Sequence, residues 1–163
     1  MSGRTVLELG SGSGSNLAHL ATLGALCTGV DIAPSRTAVA AQAWGHLSNT
    51  QWVTADVVTY LADTQARFDV VYSIFGAVWF TDPTVLLPLV RARMTPGGVF
   101  AFSHLPATDQ NVSGDRAVRK WEYPADQWVQ MLATAGFKSA TAEVIPAPAS
   151  NRRGTLLVRA LRA

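Results

Sequence analysis

The sequence predicts an α/β domain: a doubly wound, mostly parallel sheet with helices on both faces. Three observations carry that expectation. Short apolar runs alternate with helical patterns along the chain. The run FDVVYSIF is apolar on both faces, as a central parallel strand is. A glycine-rich turn follows the first apolar run and opens a helix. The length of 163 residues suits one domain, and 48% hydrophobic with 15% charged residues suits a folded core.

The elements follow in order. The first strand spans residues 5–9, and the glycine loop leads into a helix over residues 15–23, with Leu17, Leu20 and Ala21 on one face and Gly24 closing it. A second strand ends at Asp31. Pro34 and Ser35 then start an alanine-rich helix through Trp44. A third strand ends at Asp56, and a short helix or turn covers residues 57–63. After the fourth strand, residues 68–75, Asp82 caps and Pro83 starts another helix, in which Pro88 predicts a kink or a late start. TPGG reads as a turn before a fifth strand, residues 98–104. Residues 105–120 are polar and unpatterned, a candidate binding loop or lid. A helix closed by Gly136 follows, and residues 138–145 and 155–161 read as an antiparallel pair.

The glycine loop is the feature with chemistry. Such a turn brings backbone N–H groups close to a ligand at one end of the sheet. Dinucleotide sites use G-x-G-x-x-G, whereas here Gly10-Ser11-Gly12-Ser13-Gly14 is followed by Ser15 where the third glycine would stand. Glu8 lies at the end of the strand beside the loop. A carboxylate there repels a pyrophosphate and suits a ligand bearing an ammonium and a sulfonium.

ELGSGSG resembles the first motif of class I S-adenosylmethionine (SAM)-dependent methyltransferases, and the likeness continues through Asp31, TADV at Asp56, FDVVYSIFGAVWF, LLPLVRARMTPGGVFAFSH and WVQMLATAGF. The small-molecule enzymes of the ubiquinone and menaquinone biosynthesis type are the most similar group. The resemblance implies a Rossmann-like sheet of seven strands with an antiparallel C-terminal strand. It implies SAM as cofactor, held by Glu8, Gly10, Ser11, Gly12, Gly14 and Asn16. Asp31 is implied for the ribose hydroxyls and Asp56 for the adenine amino group, with Arg36 beside the adenosine, Ile32 and Val57 as further cofactor-binding residues, and Ser73 where cofactor meets substrate. Each has a plainer reading: Asp31 and Asp56 as helix caps, Asn16 and Arg36 as solvated surface, Ser73 as a core hydroxyl.

His104 ends the fifth strand and is the candidate general base, against a structural role. Phe75, Trp79 and Phe80 read as an aromatic wall or lid, which Trp121 and Tyr123 complete. His19 and His46 read as surface groups. Trp44, Trp52 and Cys27 read as packing.

The expected reaction is an in-line methyl transfer to a small, partly apolar acceptor, which needs alignment and dryness more than a catalytic motif. No N/D-P-P-Y/F run follows the fourth strand, where the residues are Ser73-Ile74-Phe75-Gly76. No His/Cys/Asp cluster suggests a metal. The formal net charge of +2 argues for no nucleic acid by itself. The alternatives are a nucleic-acid methyltransferase with a basic face of Arg116, Arg119, Lys120, Arg152 and Arg153, or a noncatalytic SAM-binding assembly domain. With no signal peptide or membrane-length apolar run, the expected setting is the cytoplasm, without a membrane. The resemblance implies cover helices ahead of the first strand, but only five residues precede Val6. The expectation is therefore a site open on one side: a fragment, a site covered by a partner or second copy such as a homodimer, or one covered by residues 105–120.

Overall fold

The computed structural model describes residues 1–107, 119–149 and 152–163. Strand β1 (Thr5–Leu9) lies between β2 (Leu26–Asp31) and β4 (Phe68–Ile74) and runs parallel to both. Beyond β2 stands β3 (Thr50–Thr54); beyond β4 stand β5 (Met94–His104), β7 (Thr155–Arg162) and β6 (Phe137–Ile145). The order is β3-β2-β1-β4-β5-β7-β6, and only β7 runs against its neighbours. This is a Rossmann-like, seven-stranded mixed sheet.

Side-chain alternation divides β1 between two cores. Leu7 and Leu9 join a cluster with Val57, Leu86, Phe102 and Trp128, under α3 (Val57–Asp63), α5 (Pro83–Ala92) and α6 (Ala125–Thr134). Val6 faces the other way, with Leu17 and Ala21 of α1 (Ser15–Thr22) and with Tyr72. Glu8 shares the Val6 parity and is therefore carried into the α1 side, where it is 2% exposed. The helix α2 (Pro34–Trp44) follows β2.

Three expectations change. TPGG is no separate turn, because β5 already begins at Met94. Phe68 pairs with Met94 and Val70 with Val99, so residues 95–98 bulge out of the strand, with Gly97 at φ +75°. Pro88 does not delay α5, which runs from Pro83 to Ala92. Its missing N–H costs one helical bond, and the buried Leu86, Leu87 and Val90 hold the helix on the sheet. Third, the aromatic stretch after β4 contains a short helix, α4 (Ala77–Phe80).

Asp69 pins the amino edge of the sheet. Its Oδ2 accepts the Thr5 N–H at 3.0 Å, and its Oδ1 accepts the Thr95 hydroxyl at 2.8 Å. These bonds hold its carboxyl below the usual range. The carboxyl edge is left for the cleft, as doubly wound sheets place it.

Candidate functional site

The loop after β1 crosses the carboxyl edge and is held mainly through its backbone. The N–H groups of Gly10 and Ser11 donate to the Val30 carbonyl at 2.8 and 3.1 Å. The Gly12 N–H donates to Asp31 Oδ2 at 2.8 Å, and the Ala33 N–H donates to Asp31 Oδ1 at 2.9 Å. Each Asp31 oxygen keeps a further lone pair for a ligand hydroxyl. Gly10 sits at φ +78°, and a Cβ there would lie 2.5 Å from the Ala77 nitrogen. The loops after β1 and β4 can cross only because Gly10 has no side chain. Trp52, paired across the sheet with Gly29, packs beneath the loop so closely that a Cβ on Gly14 would lie 2.3 Å from its ring. Trp44 Nε1–H donates to the Ser13 carbonyl at 2.9 Å. No side chain caps α1, so its first N–H groups are open to a ligand.

A cleft of about 920 Å³ opens above this loop. Its floor includes Glu8, whose Oε2 is buried without a hydrogen-bond partner. Burial pushes the Glu8 carboxyl up to about 7, and the Asp31 charge adds to that; Tyr72 and Asn16 oppose it. A cation reaching Glu8 would favour its ionised form. Asp56 also lines the cleft while its Oδ1 caps α3, accepting the Val58 and Thr59 N–H groups at 2.9 and 3.1 Å.

The far end of the cleft is built from side chains. Phe75 adopts φ +48°, a left-handed conformation costing about 1–3 kcal/mol for a non-glycine residue. Its N–H is tied to the Ser103 carbonyl at 2.8 Å, and its ring meets Trp79 edge-on at 6.0 Å. Phe75 and Phe80 are exposed to the cleft. Lys120 enters from the segment before α6, with its Nζ 4.0 Å from the centroid of the Trp79 ring.

Glu8, Gly10, Ser11, Gly12, Asn16, Asp31, Ile32, Arg36, Asp56, Val57 and Phe75 line this one cleft, together with Ser13, Ser15, Ile74, Thr81 and Lys120, which were not expected. Six expected residues do not line it. Gly14 caps α1 against Trp52. Ser73 is a satisfied core hydroxyl that donates to the Leu9 carbonyl at 2.7 Å. Trp79 lies buried against Phe75 and Phe80, and the Trp121 N–H donates to the Trp79 carbonyl at 2.8 Å, while Tyr123 packs on Trp121 and edge-on against Trp128. His104 is 0% exposed, stacked 5.6 Å from Trp79 and packed 5.7 Å from Trp128. Its Nδ1 bonds the Leu105 carbonyl, and burial holds its pKa below the ordinary value. It is not on the rim. Phe100, Phe102 and His104 alternate onto one face of β5, and that phase was the signal for burial.

His19 and His46 are exposed, and Cys27 is buried, its thiol pushed up to about 11. Trp44 does more than pack, since it holds the loop at Ser13. Lys120 turns into the cleft instead of joining Arg152 and Arg153 on a basic outer face. Residues 105–120 are described only at their two ends, and Arg116 lies outside the described residues. Among the described residues no three His, Cys, Asp or Glu side chains are grouped to share a metal.

Sheet order and cleft define a Rossmann-like domain of the class I methyltransferase kind. The chain belongs to the methyltransferase domain family, whose model matches residues 1–143. A trans-aconitate 2-methyltransferase of Delftia acidovorans is 32% identical over 101 residues, which are 60% of this chain and 37% of that enzyme. The match thus spans little more than a third of its length. A chain in the complex of the Haloferax volcanii Trm112 methyltransferase activator with a methyltransferase superposes with TM-score 0.80 at 20% identity, covering 99% of this chain and 83% of that one. The Synechocystis PCC 6803 magnesium protoporphyrin IX methyltransferase with bound S-adenosylhomocysteine gives 0.75 at 19%, covering 99% and 75%. These last two are likenesses of fold.

Proposed function

We propose that this chain is a single methyltransferase domain, residues 1–163, that moves a methyl group from SAM to a small-molecule acceptor. SAM is its cofactor. The observation that carries the reading is the Asp31 carboxylate. It braces the glycine loop through Gly12 and Ala33 and still has an unused lone pair on each oxygen, inside the cleft. The rest of the donor set fits such a cofactor. The orphaned Oε2 of Glu8 suits a cationic group, and the uncapped start of α1 suits a carboxylate. Ile32 and Val57 offer apolar surface and Asp56 an acceptor for the base.

When bound, SAM supplies a methyl group already activated on a sulfonium. The residues of this chain therefore bind, align and exclude water. Asp31 and the loop N–H groups orient the cofactor, Glu8 favours positive charge at the cleft floor, and Phe75 and Phe80 wall the acceptor. A relative named for trans-aconitate methylation supports a small acceptor.

Calorimetric titration with S-adenosylhomocysteine tests this. Wild-type protein should bind in the micromolar range, and Asp31→Ala should weaken binding about 10- to 100-fold through lost charge-assisted hydrogen bonds. A folded chain that does not bind, or an Asp31→Ala variant that binds as well as wild type, would refute the assignment. No helix among the described residues is long and apolar enough to cross a membrane.

A further inference from the structure

The Ser13–Gly14 peptide is held at both ends. Its N–H donates to the Ser11 carbonyl at 2.9 Å, and its carbonyl accepts the Trp44 Nε1–H at 2.9 Å. That indole belongs to the last residue of α2, thirty-one positions further along the chain. The helix itself presses on the loop: a Cβ at Gly14 would lie 3.1 Å from the Ala40 Cβ. Ser13, Ser15 and Asn16 line the cleft, and Trp44 stands outside it.

The bond decides where the Ser13 carbonyl points. In an α-helix each N–H is accepted by the carbonyl four residues before it. The Gly14 carbonyl obeys, taking the Ala18 N–H at 2.8 Å. The Ser13 carbonyl would take the Leu17 N–H by the same rule, but it is turned to Trp44 instead. The Leu17 N–H therefore joins those of Ser15 and Asn16 as donors that the start of α1 leaves unused. The same end of the cleft holds Glu8, which is 2% exposed, has an Oε2 without a partner and lies against the Asn16 side chain. Free amides and a buried carboxylate together suit a ligand that carries a carboxylate and an ammonium on one carbon.

We propose that Trp44 is a positioning residue for the amino-acid end of the cofactor: by drawing the Ser13 carbonyl onto α2, it keeps the first amides of α1 free for the ligand's carboxylate. This rests on the methyltransferase reading above and adds a residue that touches no ligand. Without the indole N–H, the carbonyl turns to Leu17. The carboxylate then loses a donor and meets the negative end of a carbonyl dipole.

The test compares two ligands by calorimetric titration: S-adenosylhomocysteine and its decarboxylated analogue, which keeps adenosine and ammonium and lacks the carboxylate. Wild-type protein should bind S-adenosylhomocysteine about 10-fold or more tightly than the analogue. Trp44→Phe should weaken S-adenosylhomocysteine about 5- to 10-fold, as loss of one hydrogen bond does, and leave the analogue within about 2-fold. Trp44→His should stay within about 3-fold of wild type for both, because Nε2 of an imidazole stands where Nε1 of an indole does in the five-membered ring. A packing role predicts the reverse order, since the imidazole fills less space than a phenyl ring. Should Trp44→Phe fail to fold, Trp44→His against Trp44→Leu makes the same comparison. Equal losses for the two ligands, an undiminished Trp44→Phe, or a Trp44→His variant as weak as Trp44→Phe would each overturn the proposal. So would a wild-type protein that binds both ligands alike, with the cofactor assignment left standing. Failure of the wild type to bind S-adenosylhomocysteine would instead overturn that assignment, and this proposal with it.

Discussion

At one end of the cleft, ligand-facing groups are backbone N–H groups and carboxylates fixed within a few residues of β1, β2 and β3. At the other, they are side chains from two segments some forty residues apart, Phe75 to Thr81 and Lys120. The glycine-loop end is crowded and determined by the backbone: adding one methyl group at Gly10 meets the Ala77 nitrogen. The aromatic end is layered, with the exposed Phe75 and Phe80 and the half-buried Lys120 resting on buried Trp79, which rests on His104. A loop locked by its backbone tolerates little change. A wall of side chains can be altered residue by residue while the sheet stays intact.

Breaking the crowded end should have the largest effect. Gly10→Ala combines a collision at 2.5 Å with a left-handed φ of +78°. It should cost about 3–5 kcal/mol in urea denaturation, the range of severe single changes, and abolish S-adenosylhomocysteine binding. Gly12→Ala is the contrast, since nothing lies within 4 Å of its Cβ position. It should cost only about 1–2 kcal/mol of backbone strain and leave the chain folded. Equal losses would mean that the crossing of the two loops is not what constrains this end.

Next comes Glu8, the charge under the loop. Its carboxyl is raised from 4.5 to about 7. Glu8 therefore contributes stability that is fully present below pH 4.5 and lost as pH rises through about 7, to a total of about 3 kcal/mol. In the unliganded protein, Glu8→Gln should match wild type near pH 4.5 and exceed it by about that amount at alkaline pH. His104 pulls the other way. Its pKa is depressed from 6.5, so its contribution is present above that value and lost as pH falls through the lower folded value. His104→Phe should flatten the acid limb, and Glu8→Gln the neutral one. Denaturation midpoints across pH would show a Glu8→Gln profile parallel to wild type if Glu8 were ordinary.

The layered end should yield more gently. Trp79→Phe keeps an aromatic under Lys120 and should cost about 1–2 kcal/mol. It should weaken acceptor binding while S-adenosylhomocysteine affinity stays within about twofold. A larger loss of cofactor analogue than of acceptor would dissolve the distinction between the two ends. Smallest of all, Arg152→Ala with Arg153→Ala, both exposed on the β6–β7 connection, should change stability by less than about 0.5 kcal/mol. Salt-dependent DNA or RNA binding lost in that double variant would favour a nucleic-acid acceptor instead.

Legibility followed sequence distance. Glu8 to Asn16 lie within nine consecutive residues, and strand period, glycines and helix start together placed them. Asp31 was legible because it ends β2 and Asp56 because it follows β3 by two residues, and these parallel strands end at the same edge. His104 also ends a strand, yet its position alone misplaced it. Its phase with Phe100 and Phe102 decides the face, and α6 buries that face. Ser73 failed similarly, since its hydroxyl turned to the Leu9 carbonyl of the neighbouring strand. Trp52 read as packing, but its pairing with Gly29 puts it under the glycine loop, which only the β2–β3 register reveals.

The sequence by itself determined the alternation of strands and helices, the glycine cradle with its acidic companions, and the family. These rest on local periodicity and on backbone conformations that only particular residues adopt. The tertiary structure alone decided which strand-end side chains reach the cleft and which are sealed in the core. It also decided that Lys120 meets Trp79 and Phe80. The reason is physical: contacts between segments far apart in the chain depend on sheet order and on which face each helix covers, and no local pattern carries that information.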